Sequence, residues 1–265
     1  MVFNSDKFEH LRFWPGKKEV PSSKYMAPNN AVIQEKDHLR DLGVQLSSDL
    51  SFSNHIESTV CSANKLVGWA LRSFKRRSPH VMLIIWNSLI QPKLDYCAQL
   101  WCPLDQRSIG VLESVQRNFS SQVCGLSDLN YWERLGALGL RSQERRRERS
   151  RIIFVWKALN GYIDGYSFDE SYSDRRGRQI DLPMFSKNAS AAVRNAVDAS
   201  LKVHGGKLFN ILPKNLRDMT GSLESFKNEL DRWLDQVPDQ PTIQGSQRSA
   251  QTNSLLDQAR YADSQ

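Results

Sequence analysis

The chain has 265 residues, of which 40% are hydrophobic and 25% charged, enough apolar material for a real core and too much for a disordered tail as a whole. It has no run of 18 apolar residues, so no membrane span is expected, and four cysteines are too few for a disulfide scaffold. The N-terminal MVFNSDKFEH lacks a basic segment followed by an apolar one, so it does not read as a secretory signal, and the expected compartment is cytoplasmic or nuclear. A net charge of +7 favours a polyanionic partner.

Residues 1–50 read as strands and turns. Phe8, Phe13 and Trp14 lie in one aromatic-rich run that ends at Pro15-Gly16, and Leu42, Val44 and Leu46 alternate at period two, as in a half-buried strand. From residue 53 the period becomes helical: Ile56, Val60, Ala63, Val67, Ala70, Leu71 and Phe74 fall on one face. Ser78-Pro79 reads as the cap and first residue of the next helix. That helix is apolar nearly all round, so it is expected to be buried and then kinked or ended by Pro92.

Pro103 opens another helix, with Leu104, Leu112, Val115, Phe119 and Val123 as its apolar face and Gly125 as its stop, and LNYWERLGALGL reads as a short helix bracketed by Gly136 and Gly139. Ser142 opens a long helix, basic first and apolar from Ile152 to Leu159. Residues 162–190 look loop-rich, and 190–235 helical with breaks at Gly205-Gly206 and Pro213. Ser222 begins a last helix with a partial capping box, Ser225 standing where Glu is preferred. Residues 236–265 are polar and are expected to be a disordered tail. The fold class is therefore mainly α, with short β elements at the N-terminus.

The chemistry-bearing patterns are few. Cys97 and Cys102 have zinc-ligand spacing, but no second pair accompanies them, so Cys97 among Leu94, Leu100 and Trp101 is better read as a small buried hydrophobe. The five histidines are scattered, and no Gly-rich phosphate loop, HExxH or GxSxG is present. Tyr261-Ala262-Asp263-Ser264 looks like a chance match to the metal-binding Tyr-Ala-Asp-Asp of reverse transcriptases. The densest signal is basic: Arg141, Arg145, Arg146, Arg147, Arg149, Arg151 and Lys157 against Glu144 and Glu148 leave residues 141–157 at +5. On a helix, Arg141, Arg145 and Arg149 form an i, i+4 stripe that could follow a phosphate backbone or simply face solvent. Arg175, Arg176 and Arg178 make a second basic knot in the expected loop.

LRDLGVQLSSDLSFSNHI, ANKLVGWALRSF, LIQPKLDYCAQLWCP, LESVQRNFSSQVCGL and YWERLGALGLRSQERRRERSRIIFVWKALNGY follow one another in an order that resembles the C-terminal part of jockey-type non-LTR retrotransposon reverse transcriptases. RRGRQIDLP and KLFNILPKNLRDMTGSLESFKNELDRWL extend the resemblance to about residue 235, with Phe209 where the family has Trp and Cys102 where it often has Ser. The resemblance implies a palm edge in 1–50, a helical thumb-like domain in 53–161, a C-terminal extension in 162–235 with the basic loop, and the tail in 236–265. It matches Asn4 and Lys7 to a palm element whose lysine acts as a general acid, and it puts the catalytic aspartates before Met1. What it implies is a fragment of an RNA-directed DNA polymerase, inactive alone, that holds RNA or an RNA–DNA duplex by its backbone. Arg141, Arg145, Arg146, Arg149, Arg175, Arg176 and Arg178 are the expected contacts. No cofactor is implied, magnesium being expected only for an intact polymerase, and neither a small-molecule substrate nor a membrane is expected. The alternatives are a helical protein-interaction module, a remnant without function, or a metal enzyme built on the cysteines.

Overall fold

The computed structural model describes residues 8–13, 24–183, 189–241 and 253–262. Asn4 and Lys7, and Asp263 and Ser264 of the tail tetrapeptide, lie outside them. The chain is mainly helical with short N-terminal strands, and it divides into two compact units: 1–58 with 185–198, and 59–184 with 199–265. The boundary expected near 161 lies inside the second unit.

The first unit holds β1 (His10–Leu11), β2 (Tyr25–Met26), β3 (Val32–Ile33), β4 (Glu35–Lys36), β5 (His38–Asp41) and β6 (Val44–Ser47). β1 pairs with β4 in parallel, while β2–β3 and β5–β6 are antiparallel. The single strand expected over 39–46 is instead this last hairpin. Leu42 and Gly43 form its two-residue turn, both at positive φ (44° and 89°), the geometry whose twist matches two antiparallel strands. Leu42 is thereby turned out to solvent, so the period-two pattern of Leu42, Val44 and Leu46 is accidental.

α1 (Ser53–Ser73) buries Ile56, Val60, Ala63, Val67 and Ala70 of the expected face, but Leu71 is only half-buried and Phe74, past the helix end, is exposed. α2 (Pro79–Ile85) starts at the cap Ser78 with Pro79 in its first turn, as expected. The chain then passes through one π-helical turn, Trp86–Ile90, into α3 (Gln91–Asp95). Pro92 therefore does not end the helix where expected. Its ring would clash with a carbonyl one turn earlier, and the widened turn, with the Gln91 amide donating to the Trp86 carbonyl, relieves the crowding. This helical run is not buried all round: Met82, Ile85, Trp86, Ile90 and Leu94 face inward, whereas Ile84 and Leu89 are exposed.

α4 (Gln106–Ser120) is capped by Asp105, whose carboxylate accepts from the Ser108 amide at 2.8 Å. α5 (Tyr131–Leu138) has a full capping box of Asn130 and Glu133, and left-handed Gly139 ends it. α6 (Gln143–Leu159) begins at its cap Ser142. The expected loop 162–190 contains a hairpin, β7 (Glu170–Ser173) and β8 (Gly177–Ile180).

After α7 (Ala191–Ala199), a π-helical turn, Leu201–Gly205, runs straight into α8 (Gly206–Asn210). Gly205-Gly206 is thus no break. A methyl group on Gly206 would come within 2.8 Å of Leu182 and one on Gly205 within 3.0 Å of Val155, so the pair permits close packing. α9 (Lys214–Arg217) and α10 (Leu223–Gln236) follow. Ser222 caps α10 by accepting from the Ser225 amide at 3.1 Å, and its hydroxyl meets that of Ser225 at 2.8 Å; Ser225 does not reach back to the backbone as Glu would.

One core of the second unit gathers around Trp156, which stacks on Phe226 with ring centroids 4.7 Å apart and donates to the Met219 carbonyl at 2.8 Å. Phe209 is fully buried in it. Leu255 of α11 (Leu255–Ala262) joins the same core, which corrects the expectation of a disordered tail over this stretch. A two-leucine pair set in polar sequence falls below what composition detects, yet it completes an apolar surface built elsewhere.

Candidate functional site

The basic helix α6 is turned inward. Arg145, Arg147 and Arg151 are buried to 1% exposure or less. Arg145 donates to the Pro238 carbonyl at 3.0 Å and to Gln258 Oε1 at 2.7 Å. Arg147 donates to the Leu94 carbonyl at 2.9 Å and lies over the Trp101 ring, 4.7 Å from its centroid. Arg151 donates to the Gln99 carbonyl at 3.0 Å. The LDYCAQLWCP stretch is thus held by two buried guanidiniums reaching its carbonyls and by Arg146 paired with Asp95. Trp101 is fully buried there, its Nε1 donating to the Tyr96 carbonyl at 2.8 Å.

The outward members of the stripe are also committed. Arg149 meets Asp231 through two bonds of 2.6 and 2.7 Å. Arg141 pairs with the same carboxylate and with Asp235 at 2.6 Å. Burial pushes the Asp231 carboxyl up, but the hydrogen bonds from Arg149 and Arg141 outweigh it and hold it below the usual range. These placements correct the expected interface. Arg145 cannot reach a phosphate, and Arg141, Arg146 and Arg149 are half-buried and already neutralised by Asp231, Asp235 and Asp95, 82–94 or 51 residues away in sequence. Sequence spacing along α6 cannot reveal such distant partners.

Arg175 and Arg176 sit exposed in the turn between β7 and β8. Arg178 leaves that group: its Nε pairs with Glu170 at 2.6 Å across the hairpin and its amide donates to Asp218 at 2.6 Å.

The buried carboxylates of this region serve the fold. Glu113 accepts from the Tyr131 hydroxyl and from the Glu144 amide at 3.0 Å. Glu148 accepts from the Leu255 amide at 3.1 Å and the Ser254 hydroxyl at 2.8 Å, capping the start of α11, and Glu144 accepts from the Asn253 amide at 3.1 Å. Burial pushes Glu144 up to about 8 and Glu148 up to about 7, with Arg145 opposing the shift at Glu148. Glu113 and Glu148 have both carboxylate oxygens engaged by the chain's own donors, and Glu144 has one. All four cysteines are free, Cys102 buried and Cys97 half-buried, and among the described residues no group of three or more His, Cys, Asp or Glu could hold a metal ion.

A different surface holds uncommitted charge. Between Glu57 and Asp95 the sequence contains no acidic residue but six cations: Lys65, Arg72, Lys75, Arg76, Arg77 and Lys93. Lys65, Arg72, Lys75, Arg76 and Lys93 are exposed and pair with no carboxylate among the described residues. Lys65, Trp69 and Arg72 recur at i, i+4 and i+7, on the side of α1 opposite Ala63, Val67 and Ala70. Arg77 anchors the segment that follows: its Nη1 donates to Gln122 at 2.8 Å and its carbonyl accepts from the Cys124 amide at 2.8 Å. Cations beyond a helix C-terminus also complement the helix dipole, a local role that needs no ligand. That role does not explain Lys65 or the exposed Trp69 beside it. The sequence signal was the missing acid, not the density of base, and reading for dense clusters passes it over.

No family model matches the chain, and no solved structure matches it. An uncharacterized protein of Caenorhabditis elegans is 25% identical over 153 residues, which cover 56% of this chain and 75% of that protein. Among the described residues no helix is long and apolar enough to cross a membrane.

Proposed function

We propose that this chain is a non-catalytic nucleic-acid-binding module, the thumb-side part of a retroelement-type reverse transcriptase, and that it holds RNA or an RNA–DNA duplex through backbone phosphates in the cytoplasm or nucleus. The observation that supports the reading is the acid-free segment between Glu57 and Asp95, with Lys65, Arg72, Lys75 and Arg76 exposed on it. Unpaired cations can exchange counterions for phosphates, which the paired arginines of α6 cannot do without giving up Asp231, Asp235 or Asp95. The contact surface is therefore assigned to Lys65–Arg77, with Arg175 and Arg176 as exposed additions. The reading gives the chain no chemical step.

The test is filter binding of an RNA–DNA duplex across a salt series, with wild type and the double variant K75E/R76E. Binding that weakens steeply with salt, with a shallower salt slope in the variant, is expected. No binding at low salt, or binding indifferent to salt, overturns the proposal. The second reading, a helical protein-interaction module, draws support from the internal pairing of α6 and from the exposed Ile84 and Leu89.

A further inference from the structure

The Lys65–Arg77 surface carries two rings that a purely phosphate-binding face does not need. Trp69 is 47% exposed and Phe74 39% exposed. Of the described tryptophans, Trp86, Trp101 and Trp156 are fully enclosed and Trp132 and Trp233 half-buried, whereas Trp69 is exposed. Trp69 and Phe74 lean edge to face, with centroids 6.0 Å apart and planes at 83°, which leaves the ring that offers its edge with both faces clear of its partner. Trp69 stands between Lys65 and Arg72 on one helix face, and Phe74 directly precedes Lys75 and Arg76. Apolar rings surrounded by uncompensated positive charge suit a partner that is anionic and offers flat apolar faces.

From this alternation we infer that the surface takes single-stranded nucleic acid, a base stacking on Trp69 or Phe74 while the flanking phosphates lie against Arg72, Lys75 and Arg76. Duplex hides its base faces inside the stack and can use only the cations; a single strand uses both. Every base has a π-face, so the contact is indifferent to sequence. The inference rests on the reading that this surface binds phosphate, and it adds the class of ligand: single strand over duplex.

The experiment titrates the full chain with three probes of equal length at fixed salt: oligo(U), an abasic oligomer and a duplex. Intrinsic tryptophan fluorescence and filter binding are read together. Expected are quenching by oligo(U) and at least tenfold tighter binding of oligo(U) than of the abasic strand. Trp69→Ala is expected to lower oligo(U) affinity about tenfold, in the range of one lost base stack, with the salt slope unchanged. Trp69→Phe keeps a ring and is expected to retain most of the affinity. Equal affinity for abasic and base-bearing strands, preference for duplex, or equal loss by Trp69→Ala on both strands overturns the stacking while leaving phosphate binding in place. Absence of salt-sensitive binding to all three overturns both.

Discussion

Replacing Trp101 tests whether the LDYCAQLWCP stretch is a packing junction or a cysteine site. The indole is fully buried, donates to the Tyr96 carbonyl and carries the buried Arg147 guanidinium on its face. Trp101→Ala loses the transfer energy and leaves a cavity, about 3–5 kcal/mol. The hydrogen bond adds about 1 kcal/mol and a desolvated cation–π contact about 2 kcal/mol. Because the three share one site they do not add in full, and about 4–6 kcal/mol is expected. That is a large part of the roughly 5–15 kcal/mol that a folded domain has to spare. Trp101→Phe keeps a ring beneath Arg147 and loses the N–H and some volume, about 1–2 kcal/mol. Cys102→Ser exchanges a small buried thiol for a hydroxyl at about 1 kcal/mol. Urea unfolding followed by far-UV circular dichroism ranks the three variants. If Trp101→Ala falls within about 1 kcal/mol of wild type, or Cys102→Ser costs more than it does, the packing argument fails and the cysteine becomes the centre of the stretch.

Asp231→Asn leaves Arg149 without its carboxylate partner and Arg141 with Asp235 alone. With about a third of the Asp231 side chain exposed, solvent screens part of the loss, and about 1–2 kcal/mol is expected by thermal melting. Since the folded Asp231 pKa is depressed, its contribution is present above the ordinary value of 3.8 and is lost as pH falls through the lower folded value; the variant should lack that part of the acid loss, and an unchanged acid profile would refute the pairing. Glu148 has the opposite sign. Its folded pKa is raised from 4.5 to about 7, so the folded state holds a proton the unfolded chain has given up, and stability should decline as pH rises through that window. Glu148→Gln, which keeps an oxygen for the Leu255 amide, should flatten the decline measured by urea unfolding at pH 5, 6 and 7; an identical decline in the variant would show that Glu148 is ionised throughout.

What the sequence makes legible is local. The α1 face as far as Ala70, the Ser78-Pro79 start and the Ser142 start each depend on residues within one or two turns, and each is found as read. What it hides depends on distant partners. The π-helical turn before Pro92 is a backbone adjustment with no residue signature of its own. Gly205-Gly206 looks like a break until Leu182 and Val155 press against it. Leu42-Gly43 was legible as a turn, since Gly follows Asp-Leu at the right place, but the apolar Leu42 masked it by completing an alternation.

The α6 arginines show why a basic segment need not be a basic surface. The carbonyls of Leu94, Gln99 and Pro238 lie outside regular ladders, where a buried acceptor left unpaired costs about 1–3 kcal/mol. A guanidinium offers five donors in a rigid fork and can satisfy such acceptors at the end of a long stem. Three buried arginines within two turns of one helix therefore do for irregular backbone what a neighbouring strand does in a sheet. Their positive charge is then balanced or buried within the fold, and counting it toward a polyanionic partner overstates what the outside presents. By the same logic a modest surplus matters more where no carboxylate competes for it. Between Glu57 and Asp95 there is none, and among the described residues Lys65, Arg72, Lys75 and Arg76 pair with no carboxylate, so the surplus there is exposed in a way that the denser 141–157 is not.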